Sequence, residues 1–172
     1  MAGLLSTVFH WLLVLTPALV ANMAPILVKP LWPQFNQPID CGLRLRNRPL
    51  LGANKTWRGL LAGMLLGGIA SWLISLATTA QPAGFWFGVL AGFWALLGDM
   101  VGSALKRQLD IPSGGHLPIL DEADYIVGFL LVTALITSWS LGFVLFAIVL
   151  VLLANPLVNR LGYHLGLKEH PW

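Results

Sequence analysis

The sequence has few charged residues and almost no cysteine. Only 10% of its 172 residues are charged, whereas 57% are apolar and the mean hydropathy is +0.78. Because about a quarter of the residues in soluble domains are charged, a soluble single domain is excluded. The one cysteine, Cys41, allows no internal disulfide and has no cysteine or histidine neighbour at metal-ligand spacing. Disulfide scaffolds and zinc fingers are therefore excluded as well.

The sequence contains long apolar segments. Five segments have roughly the 20 residues that cross a bilayer, although the last two are shorter. They cover 4–28, 59–78, 84–105, 125–139 and 141–158. This pattern predicts an all-α integral membrane protein in which one membrane-embedded domain fills residues 1–172. A count of four spans stays open, because the boundary near 138–142 joins two short spans.

The basic residues predict the orientation of these spans. All ten lysines and arginines lie within the segments 29–58, 106–107 and 160–168. Since basic loops stay in the cytoplasm, we expect an external N-terminus, a cytoplasmic C-terminus and two larger cytoplasmic loops. The external connections at 78–83 and 138–142 are then short and free of basic residues. The pI of 9.4 thus records topology in a multi-pass protein of the cytoplasmic membrane and does not indicate nucleic-acid binding.

A polar stripe occupies the end of the third span. One helical face carries side chains at steps of three, four, seven and eight residues. They are Asp99, Gly102, Ser103, Lys106 and Arg107. A carboxylate inside a span is costly and indicates function. With a rise of about 1.5 Å per residue, Asp99 lies roughly 10 Å deeper in the membrane than Lys106. This depth suits a metal ion near Asp99 and phosphates near Lys106, closer to the cytoplasm. The alternative is a buried structural ion pair.

Acidic residues open the fourth span. Asp121 and Asp124 are three residues apart and share one helix face, whereas Glu122 faces elsewhere. A helix N-terminus favours one carboxylate, but three acids in four residues need a cation to relieve their repulsion. Oxygen ligands suit Mg²⁺, so we predict Asp99, Asp121 and Asp124 as its ligands. His116 in the preceding loop is either a phosphate contact or simply solvated.

The segment GANKTWRG at 52–59 places an amide, a hydroxyl and two cations at the start of the second span. A helix N-terminus with nearby cations is a ready phosphate site. The residue order of a Walker loop is absent. Asn54, Lys55 and Arg58 are nevertheless predicted to hold a nucleotide triphosphate, and Thr56 is predicted to cap the helix.

Two further features have alternative interpretations. Arg44, Arg46 and Arg48 of the first cytoplasmic loop either contact lipid phosphates or are structural. Asn22 lies inside the first span, where its amide must be satisfied by neighbouring helices, water or a cavity. We class these four residues together as candidates for lipid-phosphate binding or for a structural role.

In combination, these strings resemble the CDP-archaeol synthase family, small membrane CTP transferases of ether-lipid synthesis. The matching strings are Pro17-Ala18 with Ala21-Asn22 and Pro25, the segment 52–59, Gly98-Asp99 with Gly102-Ser103 and Lys106-Arg107, Asp121 with Asp124, and the tail Leu165 to Lys168 with Pro171-Trp172. The family is similar to the C-terminal part of phosphatidate cytidylyltransferases. That longer signature is incomplete here, because no Lys-Asp pair follows Arg107 and Glu122 replaces an arginine.

The resemblance implies a five-helix fold with its site at the cytoplasmic surface, CTP as substrate, Mg²⁺ as cofactor and a lipid phosphate as acceptor. It implies that Asp99, Lys106, Asp121 and Asp124 are catalytic. The implied residues for CTP and phosphate binding are Asn54, Lys55, Arg58, Ser103, Lys106, Arg107 and His116.

Several alternatives remain at this point. The acceptor is either an archaetidic-type diether glycerol phosphate or the diacyl phosphatidate of a bacterium, because lipid chains are read by apolar contacts. A small ion-coupled transporter that uses Asp99 would be expected to show inverted repeats and a midplane site. A non-catalytic scaffold leaves the convergence of Lys106 with three aspartates unexplained. A homodimer is also left open.

Overall fold

The computed structural model describes residues 2–79, 84–168 and 170–171. Its elements are α1 (Ala2–Val28), β1 (Arg44–Leu45), β2 (Arg48–Pro49), α2 (Trp57–Ala77), α3 (Gly84–Gln108), α4 (Leu120–Thr133) and α5 (Leu141–His164). This confirms a mostly helical membrane protein. Gln81 and Pro82 of the predicted external connection, and Trp172 of the tail, lie outside the described residues.

Four helices of the described chain are long and apolar enough to cross a membrane. They are α1, α2, α3 and α5. Helix α4 has 14 residues, which at about 1.5 Å per residue is about 21 Å long, shorter than a hydrocarbon core of about 30 Å. The predicted span at 125–139 therefore differs from the structure, in which the helix begins at Leu120 and ends at Thr133.

The end of α4 is fixed by side-chain hydrogen bonds. Thr133 Oγ1 donates to the Phe129 carbonyl at 2.6 Å and accepts from Trp139 Nε1 at 3.0 Å. Ser140 then caps α5 by accepting from the Phe143 N–H at 3.2 Å. These bonds satisfy polar groups at the reversal between the two helices. Apolar composition continues through this reversal, which is why the sequence pattern placed the helix end too late.

Helices α1, α2 and α3 pack through small residues. A Cβ added to Gly63 would lie 2.9 Å from the Ala21 carbonyl oxygen, and one on Gly67 would lie 2.8 Å from the Gly88 carbonyl oxygen. Such contacts let helix backbones approach closely in a membrane. Glycines inside α2 thereby hold it against α1 at Ala21 and against α3 at Gly88.

The buried core lies among α1, α3, α4 and α5. Tyr125, Phe129 and Phe143 are at most 2% exposed. Phe87 meets Phe129 edge-on, with ring centroids 6.5 Å apart, a favourable aromatic arrangement. This core fixes the position of α4 and, with it, the direction in which the first turn of α4 points.

The loop between α1 and α2 contains a short hairpin. Leu45 pairs with Arg48, and the two turn residues, Arg46 and Asn47, have positive φ angles of 53° and 64°. Two such residues form the tight turn that matches the twist of antiparallel strands. Arg48 Nη2 lies 2.5 Å from Asp110 Oδ2, so the hairpin is tied to the chain that follows α3.

Candidate active site

A close crossing of α3 and α4 positions Asp124. A Cβ on Gly98 would lie 2.3 Å from the Asp124 carbonyl oxygen, and one on Gly128 would lie 2.4 Å from the Trp94 carbonyl oxygen. One turn further along α3, a Cβ on Gly102 would lie 2.2 Å from Asp124 Oδ2. Gly102 therefore contributes to the polar stripe by leaving room for this carboxylate.

Asp99 is paired with Lys55 between α3 and the start of α2. Lys55 Nζ donates to Asp99 Oδ2 at 2.6 Å, and both side chains are about a quarter exposed. Thr56 caps α2 as predicted, since its Oγ1 accepts from the Gly59 N–H at 3.2 Å. The cap fixes the direction in which the chain enters α2, and Lys55 reaches Asp99 from there.

Lys106 is paired with Asp121 between α3 and α4. The Lys106 Nζ lies 2.7 Å from Asp121 Oδ1 and donates to the Gly115 carbonyl at 3.3 Å. The other carboxylate oxygen of Asp121 accepts from the Leu117 N–H at 3.0 Å. These bonds fold the loop at 109–119 over the C-terminal end of α3.

The two pairs meet around Asp124. Its side chain is 9% exposed, Oδ1 accepts from the Tyr125 N–H at 2.7 Å, and the charges of Asp99, Asp121 and Lys55 act on it. We call Lys55, Asp99, Lys106, Asp121 and Asp124 the charged cluster. The structure thus brings together all four residues that the sequence analysis named as catalytic.

The carboxylates of this cluster suit a hard cation only in part. No three His, Cys, Asp or Glu side chains among the described residues form a finished metal cage, because ammonium groups neutralise Asp99 and Asp121. The donor set is nevertheless all oxygen. Mg²⁺ commonly uses one or two protein carboxylates and takes its other ligands from water and phosphate. The residues therefore fit a Mg²⁺ ion that shares its coordination with a nucleotide.

A cavity of about 500 Å³ lies between the hairpin and the loop after α3. Three arginines and two aspartates are among its lining residues: Arg44, Arg48, Arg107, Asp40 and Asp110. Arg107 connects this cavity to the charged cluster, because the charge of Asp121 acts on its guanidinium. Arg107 is 6% exposed, and its Nε and Nη1 are buried without a hydrogen-bond partner. Such buried unpaired donors are costly, and a guanidinium binds phosphate through two parallel hydrogen bonds. The cavity is therefore suited to an anion.

Arg58 has a different environment from the one predicted. It is 6% exposed, and its Nη atoms donate to the Trp32 carbonyl at 2.5 Å and to Asn36 Oδ1 at 3.1 Å. In this structure it holds the loop between α1 and α2 against the start of α2. Asn54 is exposed and, with Asp99, lines a small cavity of about 30 Å³. The phosphate-binding roles of Arg58 and Asn54 stay predictions.

The remaining predicted residues divide by location. Ser103 is buried on α3, and His116 Nε2 lies 3.0 Å from Glu122 Oε1. Arg46 is exposed at the hairpin turn, and Asn22 is half-buried on α1. Their binding roles stay predictions.

Arg48 serves a visible structural role. Besides its contact with Asp110, its Nη1 donates to the Gln108 carbonyl at the end of α3. Arg48 therefore joins the hairpin to the last turn of α3 and closes one side of the larger cavity.

Sequence reasoning missed a hydrogen-bonded link behind the cluster. The Tyr125 hydroxyl donates to Asn155 Oδ1 at 3.1 Å, and Asn155 Nδ2 donates to the Glu122 carbonyl at 2.9 Å. This link ties α5 to the first turn of α4 and orients Asp124. A signal was available, because Asn155 is an amide next to Pro156 inside an apolar span, the same kind of feature that singled out Asn22.

Comparison with known proteins agrees with this geometry. The CarS-like CDP-archaeol synthase profile matches residues 4–172. The CDP-archaeol synthase of Hyperthermus butylicus is 37% identical over 179 residues, covering 100% of each chain, and that of Thermococcus kodakarensis is 34% identical over 99% of each. A solved intramembrane enzyme for archaeal membrane lipids biosynthesis is similar, with a TM-score of 0.76, 34% identity and coverage of 86% of this chain and 91% of that one. The resemblance seen in the sequence is confirmed, and the chain belongs to the CDP-archaeol synthase family.

Proposed function

We propose that this chain transfers CMP from CTP to the phosphate of a membrane lipid, giving a CDP-lipid and pyrophosphate. As a family member it is a CTP-dependent cytidylyltransferase. The observation that carries the proposal is the meeting of two lysine–aspartate pairs around Asp124, together with a cavity lined by Arg107, whose Nε and Nη1 are buried without a hydrogen-bond partner. This arrangement sits where a nucleotide from the cytoplasm and a phosphate from the membrane surface can meet.

In the proposed reaction, an oxygen of the lipid phosphate attacks the α-phosphorus of CTP. A new P–O bond forms as the bond to the β-phosphate breaks, and pyrophosphate leaves with the bonding electrons. A phosphate monoester is already largely anionic at about pH 7. The chain therefore needs no dedicated general base, and catalysis rests on positioning and on neutralising charge.

The cations of the site supply that neutralisation. Arg107 has free donor atoms for the polyphosphate, and Lys55 and Lys106 pair with carboxylates now and can exchange them for phosphate oxygens. Donors fixed in a water-poor site stabilise developing negative charge more strongly than donors in water. The same donors favour departure of the highly charged pyrophosphate.

Asp99, Asp121 and Asp124 are the residues that would hold Mg²⁺. When bound, the ion polarises phosphoryl oxygens and offsets the charge of the phosphates. The protein's own contribution is to keep the three carboxylates on facing turns of α3 and α4, with the lysines close enough to balance them.

The same geometry supports an external N-terminus and a cytoplasmic C-terminus in the cell membrane. The end of α1, the start of α2, the end of α3 and the start of α4 all meet at the charged cluster. Basic residues lie at two of these ends, Lys55 and Arg58 at the start of α2 and Lys106 and Arg107 at the end of α3. Helix α4 begins on the side of the membrane where the charged cluster lies. The five helices α1 to α5 then correspond to the five-helix fold that the resemblance implies. The site is built from one chain, so the reaction does not require the homodimer left open by the sequence.

The archaeal relatives favour a diether glycerol phosphate as acceptor. The test is pyrophosphate release by the protein in detergent, with CTP, Mg²⁺ and either a diether or a diacyl glycerol phosphate. We expect turnover with the diether lipid, and a loss of about 100-fold or more in Asp124→Asn. Glu122→Gln is the matched control, because this neighbouring acid lies outside the cluster, and it should retain activity. Folded protein that is silent with both lipids would refute the proposal.

A further inference from the structure

A strained turn immediately precedes α4. Ile119 has a φ of +69° and a ψ of −50°, and the Leu120 N–H donates to the Pro118 carbonyl at 2.8 Å. A hydrogen bond that spans a single residue with these angles forms a γ-turn of the rare, strained kind. A positive φ is especially unfavourable for a β-branched residue such as isoleucine. A strained conformation of this kind persists only where surrounding contacts enforce it.

The contacts that enforce the turn come from Asp121. Packing of the Ile119 side chain contributes little, because this residue is 70% exposed. The Asp121 Oδ2 atom accepts from the Leu117 N–H at 3.0 Å, and the Asp121 N–H donates to the Leu117 carbonyl at 3.1 Å. These two hydrogen bonds bracket the turn from both sides. The carboxylate of Asp121 therefore helps to hold Ile119 in its strained conformation.

Lys106 supplies a second restraint. Its Nζ lies 2.7 Å from Asp121 Oδ1 and donates to the Gly115 carbonyl at 3.3 Å. Lys106 thus fixes both the carboxylate that brackets the turn and the segment that precedes the turn. Both restraints come from members of the charged cluster, to which the proposed function gives other partners. Binding of phosphate to Lys106 and of Mg²⁺ to Asp121 competes with the contacts that keep the turn strained.

Other contacts of the same loop do not depend on the charged cluster. His116 Nε2 lies 3.0 Å from Glu122 Oε1, and the Gly115 N–H donates to the Pro112 carbonyl at 2.8 Å. These contacts keep the loop attached to α4 when the restraints on Ile119 are weakened. The change that follows is therefore local to residues 117–120.

We infer that Ile119 is a positioning residue of the proposed reaction, whose strained turn relaxes when CTP and Mg²⁺ engage Lys106 and Asp121. This inference rests on the proposed function. A ligand shifts a conformational equilibrium only by its different affinity for the two states. Strain in the turn raises the free energy of the unliganded state, so its release favours the exchange of the present contacts of Lys106 and Asp121 for substrate and metal.

The test compares Ile119→Gly with Ile119→Ala in the full-length protein in detergent. Both variants remove the exposed side chain beyond Cβ, but only glycine adopts a positive φ without a steric penalty. Loss of the strain stabilises the unliganded state. We therefore expect the KM for CTP to be about fivefold higher in Ile119→Gly than in Ile119→Ala, with little change in kcat. Ile119→Ala should stay close to the unmodified protein.

Hydrogen exchange gives a second measurement that needs no turnover. The amide protons of Leu117 and Leu120 are bonded in the strained turn. They should exchange more slowly in ligand-free Ile119→Gly than in ligand-free Ile119→Ala, after correction for intrinsic rates. In the unmodified protein, CTP with Mg²⁺ should make both amide protons exchange faster.

Equal exchange in the two ligand-free variants would overturn the inference, as would slower exchange of these amide protons in the unmodified protein with CTP and Mg²⁺. An equal KM for CTP in the two variants would also contradict it. The ligand-free comparison does not depend on the reaction. If the unmodified protein releases no pyrophosphate, the proposed function fails instead, so the two failures are distinguishable.

Discussion

At the scale of single residues, Lys55 and Lys106 each combine a structural contact with a proposed role in the reaction. Each holds a carboxylate within 2.7 Å, and each is a cation that the proposed transfer needs. Removing one member of a partly buried pair leaves the other charge uncompensated. Substitutions at these positions therefore disturb both folding and activity, and a more selective probe is needed for the position of Asp124.

Gly102 provides that probe. In Gly102→Ala the new Cβ would lie 2.2 Å from Asp124 Oδ2, so the carboxylate must move while every charge is kept. A displacement of about 1 Å can cost about 100-fold in rate, and we expect a loss of that size in pyrophosphate release. Gly3→Ala is the comparison, because a Cβ there meets nothing within 4 Å. Equal activity in the two variants would mean that Asp124 is not catalytic.

At the scale of elements, helix faces could be predicted but helix ends could not. The polar stripe from Asp99 to Lys106 could be predicted from the 3.6-residue period of a helix. In the structure Gly102 and Lys106 of this stripe contact Asp124 and Asp121 of α4. The end of α4 depends on Trp139 bonding to Thr133, a contact between separate segments. Likewise, Arg58 points into the first cytoplasmic loop because that loop offers the Trp32 carbonyl, which no local pattern reveals.

Asp40 organises the same loop. Its carboxylate accepts from the backbone N–H groups of Leu51, Gly52 and Gly42 at 2.8, 3.2 and 3.1 Å. Burial alone would raise the pKa of Asp40, but these hydrogen bonds outweigh burial and hold the pKa below its ordinary value of 3.8. The ionised carboxylate therefore stabilises the folded loop.

We expect Asp40→Asn to lose about 1–3 kcal/mol of stability at about pH 7. Because the pKa of Asp40 is lower in the folded state, its contribution is complete above the unfolded value and is lost as pH falls through the folded one. Melting temperatures of the two proteins should converge as pH falls through the lowered pKa of Asp40 in the folded protein. Asp110→Asn, at an exposed ion pair, should change little. A gap that stays constant with pH would contradict this account of Asp40.

At the scale of the whole molecule, all the basic segments gather on one side. Lys55 and Lys106 come from distant parts of the chain and pair with carboxylates of the same cluster. Positive-inside counting used only their positions in the sequence, yet it predicted a shared side. The packing of the four helix ends around the cluster supports the same orientation.

Cys41 makes this orientation testable. It is the only cysteine in the sequence, and it is exposed in the first cytoplasmic loop. We expect a membrane-impermeant maleimide to label it in inside-out vesicles and not in intact cells. Cys41→Ser controls for nonspecific labelling, and a permeant maleimide confirms that the thiol is reactive in both samples. Labelling from outside intact cells would reverse the proposed topology.

The sequence by itself determined the membrane class, the helical face that carries the polar residues and the family, because hydropathy, periodicity and motifs are local properties of a chain. Only the tertiary structure decided which ammonium meets which carboxylate, why Gly102 must lack a side chain and that Arg58 points into the loop between α1 and α2. Those outcomes depend on contacts between segments far apart in sequence, whose geometry is set by how closely the helices pack.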